Sequence, residues 1–214
     1  MAGLMDLLNS EIGKTLVQGA SSEVNAPEDK TASVINMAMP LLLGAMKKNA
    51  SSEEGASSLL SALKGGKHDG SILNNLGSIL GGGVDQDVVN DGSNILGHVF
   101  GNKQSTVEQT LSAKSGLDMN QIAKILKIAA PVLLGMLGNQ AKSGDIDSKS
   151  GLNTLLGSML GGQPKSNQSL IESLIDQDGD GSVLDDVAGM VLGRNKKGND
   201  SDGGIGGMLG GLFK

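Results

Sequence analysis

The chain contains no cysteine, tryptophan or tyrosine, and Phe100 and Phe213 are its only aromatic residues. Without cysteine there is no disulfide framework, no thiolate nucleophile and no sulfur-ligated zinc, and the redox compartment is left open. With only two aromatic rings, the chain lacks the set of platforms on which successive bases could stack. Basic charge is also scarce: 17 Lys and Arg stand against 23 Asp and Glu, for a net charge of -6. That balance speaks against nucleic-acid binding, which needs clustered cations to neutralise phosphates. The segment from Met1 to Asp6 lacks the basic stretch and long apolar run of a secretory signal, so a cytoplasmic location is expected. Period-two alternation and β-branched clusters are few, which leaves no strand signal. No Gly-x-x-x-x-Gly-Lys loop follows a strand, and His68 and His98 have no neighbouring carboxylate or hydroxyl constellation that would mark a general base. Both read as solvated loop or helix-surface positions, and nothing in the chain argues for an enzyme.

What is present is a repeat. Pro40 and Pro131 lie 131 minus 40, or 91, positions apart. At that offset Ile35 matches Leu126, Ala38 matches Ala129, Leu42 matches Leu133, Gly44 matches Gly135 and Met46 matches Leu137. A second unit, Gly55 to Gly66, matches Gly151 to Gly162 at an offset of 151 minus 55, or 96. The five extra positions fall in a loop around Lys142–Asp147. The reading is a duplication, with residues 1–103 and 104–193 as two helical repeats and 194–214 as a Gly-rich tail.

Hydrophobic spacing gives the fold class as all-α: a compact bundle of short helices around two repeated, proline-kinked central helices in pseudo-symmetric halves. In the second repeat Ile122, Leu126, Ala129, Leu133 and Leu137 keep one phase through Pro131, which predicts one kinked helix. The uncharged run from Ile128 to Asn139 falls short of the roughly 20 residues that a bilayer requires, so no transmembrane segment is expected. Leu8, Ile12 and Leu16 predict an amphipathic helix over residues 4–19, and Ala26-Pro27-Glu28-Asp29 reads as a helix start. Gly44 and Gly135 leave room for close helix approach. The short segments ending at Gly65, Gly81, Gly101 and Gly161 predict helices stopped by glycine in the left-handed conformation.

One stretch has the pattern of a metal loop. Asp176-Gln177-Asp178-Gly179-Asp180-Gly181-Ser182 sits between apolar helical segments, as an EF-hand loop sits between its helices. Position twelve is Val187 where a bidentate Glu would stand, so a shortened loop would close with Asp186. The candidate Ca²⁺ ligands are Asp176, Asp178, Asp180, Ser182 through its carbonyl, and Asp186. A reading without metal is available, because Asp-Gly-Ser occurs three times, at 69–71, 91–93 and 180–182, each time before a helical pattern. A turn ending in a Ser N-cap covers all three cases. The first half carries a poorer counterpart at Asp85, Asp87 and Asp91.

The tail carries Ile205, Met208, Leu209, Leu212 and Phe213 on one helical face, with six glycines between Gly203 and Gly211. At about 1 kcal/mol per Gly relative to Ala, that segment needs a surface to fold on. A flexible tail is one reading of residues 203–214; the other is docking, into a groove of the chain's own core, onto another copy (a homo-oligomer) or a protein partner, or, with only Lys214 for positive charge, onto a membrane surface.

Ala130-Pro131-Val132-Leu133-Leu134-Gly135, the Gly-Gly-stopped Leu-rich helices and Asp178-Gly179-Asp180-Gly181-Ser182-Val183-Leu184-Asp185-Asp186 together resemble the YidB-like proteins, a bacterial family of unknown function. The resemblance covers most of residues 30–193 in two passes. It implies a compact all-helical fold in a bacterial protein and supplies no catalytic residues. The functional expectation is a non-enzymatic protein acting by self-association or partner binding, with a calcium-binding module as the alternative.

Overall fold

A computed structural model describes residues 4–81, 83–161 and 165–175. Among these the regular elements are helices: α1 (Leu4–Leu8), α2 (Glu11–Val24), α3 (Glu28–Asn49), α4 (Glu53–Lys64), α5 (Ser71–Asn74), α6 (Leu76–Leu80), α7 (Gln86–Phe100), α8 (Gln104–Ser115), α9 (Met119–Ser143), α10 (Lys149–Leu160) and α11 (Lys165–Ile175). The all-helical expectation holds. Boundaries differ where capping chemistry overrides apolar spacing. The segment predicted over residues 4–19 divides into α1 and α2 because the Ser10 hydroxyl accepts the Gly13 N–H and starts a new helix. Of the glycine stops, Gly101 after α7 takes a positive φ of 54°, whereas Gly65, Gly81 and Gly161 have φ of -67°, -81° and -62°; Asn25 after α2 and Gly116 after α8 are left-handed ends.

Both prolines lie inside continuous helices, α3 and α9. A proline ring has no N–H to give to the carbonyl four residues back, so the carbonyls of Asn36 and Lys127 lose their helical donor. Each is where another helix docks. The Asn167 side chain of α11 donates to the Asn36 carbonyl at 3.3 Å. On the other central helix, Gly92 of α7 lies so close to the Lys127 carbonyl that a Cβ would overlap it.

The duplication is visible in equivalent hydrogen bonds. Ser21 donates to the Ala26 carbonyl after α2 and Ser112 to the Leu117 carbonyl after α8, both at 2.6 Å. The offset is 91 for donor and acceptor alike. Ser52 caps α4 through the Gly55 N–H, and Ser148 caps α10 through the Gly151 N–H, at the offset of 96. The later helices cross over: α4 packs on α9, α10 packs on α3, and α4 and α10 pack on each other. Glu53 and Lys149, equivalent residues of the two repeats, meet at 3.0 Å near the pseudo-symmetry axis. The two halves therefore share one hydrophobic core, centred on α3 and α9.

Helix α9 is the one helix among the described residues long and apolar enough to cross a membrane, with a mean hydropathy of 1.5 over its best window. Charge interruption alone underestimated its apolar length, because Lys124 and Lys127 lie near its start. Of that window 78% is buried inside the protein, which is the burial of a core helix.

Two glycines of one helix give opposite predictions. Gly92→Ala forces α7 off the Lys127 carbonyl and should cost about 2 kcal/mol or more. A Cβ at exposed Gly97 meets nothing within 4 Å, so Gly97→Ala should stabilise by up to about 1 kcal/mol. Denaturant unfolding of the two variants checks this, and equal effects would contradict the packing described.

Candidate functional site

Between α4 and α7 runs a cleft of about 720 Å³. Its floor is formed by Met46 of α3 and Leu134 of α9, and its walls present Leu59 and Ala62 opposite Ile95 and Val99. These residues stand there because α4 crosses to α9 while α7 lies along the same helix, leaving a gap between two elements that share a platform. Amphipathic spacing sets the walls: Leu59 and Ala62 are three apart on α4, Ile95 and Val99 four apart on α7.

Polar groups close both ends. At one end Asn49 donates to the carbonyls of His98 and Val99, at 3.0 and 3.3 Å, and so satisfies part of the α7 C-terminus. At the other, His68 Nε2 and Asp91 Oδ2 are 2.7 Å apart. At that distance the imidazole and the carboxylate share one hydrogen bond. The pair is well covered, with side-chain exposures of 11% and 23%. It ties the turn after α4 to α7.

Sequence reasoning missed this pair. His68 is not a solvated loop residue: it is 9% exposed, and its carboxylate partner is 23 positions away, out of reach of any local motif. One signal was available, since Asp91 stands four residues before Ile95 on the apolar stripe of α7, and a carboxylate there calls for a partner. The turn that carries His68 is set from both sides. Gly138 of α9 has no Cβ to collide with the His68 carbonyl. The Asp69 carboxylate accepts the Ser71 N–H at 3.1 Å, a bond that holds the Asp69 carboxyl below its usual pKa. A depressed carboxyl lends its support above the ordinary carboxylate pKa of about 4 and loses it as pH falls through the lower folded value.

The Asp-Gly-Ser turns resolve differently from one another. At 69–71 it is Asp69, not a Ser N-cap, that makes the side-chain bond, and Gly70 takes a φ of 98°. Asp91-Gly92-Ser93 is not a turn before a helix; it lies inside α7, whose cap is Asp85 accepting the Asp87 N–H at 2.9 Å. Asp85, Asp87 and Asp91 are thus a helix start and an ion-pair partner, and they form no metal loop. Among the described residues no group of three or more His, Cys, Asp and Glu could hold a metal ion. The candidate ligands Asp176, Asp178, Asp180, Ser182 and Asp186 and the tail 203–214 all lie outside the described residues. His98 stands on the exposed side of α7, as expected, and lines the cleft.

The family model for "Bacterial protein of unknown function (DUF937)" matches residues 6–140 and 146–213. The two matches meet around the connection from α9 to α10 and cover nearly the whole chain, in keeping with the resemblance; Pro40 and Pro131 both fall within the first match. No curated protein and no solved structure matches the chain.

If the buried pair clamps the turn to α7, removing one partner leaves the other without its hydrogen bond. Asp91→Ala should cost about 1–3 kcal/mol of unfolding free energy. In a double-mutant cycle with His68→Ala the two costs should fall short of additivity by about 1 kcal/mol. Denaturant titrations at neutral pH measure it, and strict additivity would mean that the pair is not coupled.

Proposed function

The chain belongs to this bacterial family of proteins of unknown function, and from that premise we propose that it is a non-enzymatic helical binding protein whose α4–α7 cleft receives an apolar segment of polypeptide. The observation that carries this reading is the cleft itself: Met46, Leu59, Ala62, Ile95, Val99 and Leu134 line it with aliphatic surface, and polar side chains such as Ser58 and Asn94 stand among them. That is the arrangement in which helix-in-groove recognition takes place. The one His–carboxylate pair among the described residues, His68 and Asp91, is engaged in joining two elements of the fold. This supports a structural role for it over a catalytic one. The partner is either a different protein or a second copy of this chain.

A second reading, calcium binding through Asp176, Asp178, Asp180, Ser182 and Asp186, is favoured by their alternating spacing alone. The first-half counterpart, used for capping and pairing, favours the cap.

Nile red, a neutral dye that fluoresces in apolar surroundings, tests the cleft. A chain ending at Gly198 should bind it, and Leu59→Lys should abolish most of the signal while leaving helical circular dichroism intact. Binding unaffected by Leu59→Lys would overturn the cleft reading. Light scattering on the intact chain then separates the partners: a mass above 21.6 kDa that rises with concentration and is lost in Leu59→Lys identifies a second copy. For calcium, isothermal titration of a chelator-stripped sample should give heat that Asp178→Ala removes, and no heat at millimolar Ca²⁺ sinks that reading.

A further inference from the structure

We infer that the α4–α7 cleft is occupied by the chain's own C-terminal segment, Ile205–Phe213, so that any external partner must displace it. The inference rests on the cleft being a polypeptide-binding surface and names its resident occupant. Three observations carry it.

The first is where the described chain ends. A smaller groove of about 130 Å³ is lined by Lys48, Asn49, Val99 and Leu174. Lys48, Asn49 and Val99 also line the cleft, so the two adjoin. Leu174, one residue before the end of α11, therefore places the end of that helix beside the cleft. The second is length. From 176 to 204 there are 204 minus 176 plus 1, or 29, residues between α11 and Ile205. Even wound as helix at 1.5 Å per residue they span about 40 Å, so reach does not limit the return. The third is chemistry. Ile205, Met208, Leu209, Leu212 and Phe213 have the sequence spacing of one helical face, apolar like the Met46 and Leu134 floor and the Leu59 and Ile95 walls. The intervening glycines disfavour a helix that has no surface to lie on.

Tethering decides between the chain's own segment and that of a neighbour. A short tether holds a segment at an effective concentration on the order of millimolar. At micromolar protein a segment of only millimolar affinity would then fill its own cleft about half the time and a neighbour's hardly at all. An external partner meets the cleft with its occupant in place, and the tail acts as a built-in competitor.

The absence of native cysteine makes the test clean. In the full chain, Ser58→Cys, at the exposed side of the cleft, is paired with Met208→Cys in the tail. Under mild oxidation this pair should form an intramolecular disulfide about tenfold or more faster than Gln18→Cys paired with Met208→Cys, at a rate independent of protein concentration. Gln18 is exposed on α2, an element that packs on α3, α6 and α9 and does not line the cleft. Equal rates for the two pairs, no disulfide at all, or a dimer whose formation accelerates with concentration would each overturn the inference. Phe213→Trp gives a second reading without cysteine. As the sole indole, it should emit at shorter wavelength in the full chain than in the same chain carrying Leu59→Lys, and an unshifted emission counts against docking. If Nile red binding remains sensitive to Leu59→Lys while both of these tests fail, the occupant is wrong and the cleft reading stands. If the dye result fails as well, the cleft reading falls with it.

Discussion

A proline in mid-helix cannot donate to the carbonyl four residues behind it, and in this protein that single missing bond sets where other helices attach. Pro40 frees the Asn36 carbonyl and Pro131 frees the Lys127 carbonyl, both on the two helices that form the centre of the core. The Asn36 carbonyl takes an amide donor from another helix, Asn167, and the Lys127 carbonyl has the Gly92 backbone of α7 packed against it. The kinked helices and the helices that dock on them are thus parts of one arrangement, and the cleft follows from it. With α7 fixed at Lys127 and α4 crossing to the same helix, a gap remains that the two cannot close.

The repeat gives this arrangement twice, but not with equal means. The serine bonds after α2 and α8 and the serine caps of α4 and α10 are reproduced residue for residue. Between α4 and α8 the first half carries α5, α6, α7 and the turn with His68. The clamp between His68 and Asp91 belongs to that half alone among the described residues, since both histidines of the chain lie there. A symmetric frame thus supports an asymmetric feature, and it is the asymmetric feature that closes one end of the cleft.

Local patterns told most of the fold in advance. Apolar phase running through Pro131 announced an unbroken helix, and the offset of 96 predicted α4 and α10, which the structure places at Glu53–Lys64 and Lys149–Leu160. What stayed hidden depended on partners distant in sequence. Nothing adjacent to His68 reveals Asp91, and spacing cannot tell a glycine that ends a helix in extended backbone, such as Gly65, from one that turns left-handed, such as Gly116. Asp91-Gly92-Ser93 looked like a turn because its composition suits one. Tertiary contact drew it into α7 instead, with Gly92 needed where α9 approaches and Asp91 needed by His68. The cleft was not visible at all, because it is a space between two elements and not a property of either.

The crossed packing of the halves also bears on how the chain comes into being. Contacts of α4 with α9 and of α3 with α10 join segments many tens of residues apart, so neither central helix has its full cover until the later partner has been made. On a ribosome adding about 5–20 residues per second, the part of α3 that α10 covers waits several seconds before residues 149–160 emerge. During that interval the newborn first half is an adhesive surface, and nearby nascent copies offer the same helices in the same order. A protein built in this way depends on its second half arriving before a neighbour's does.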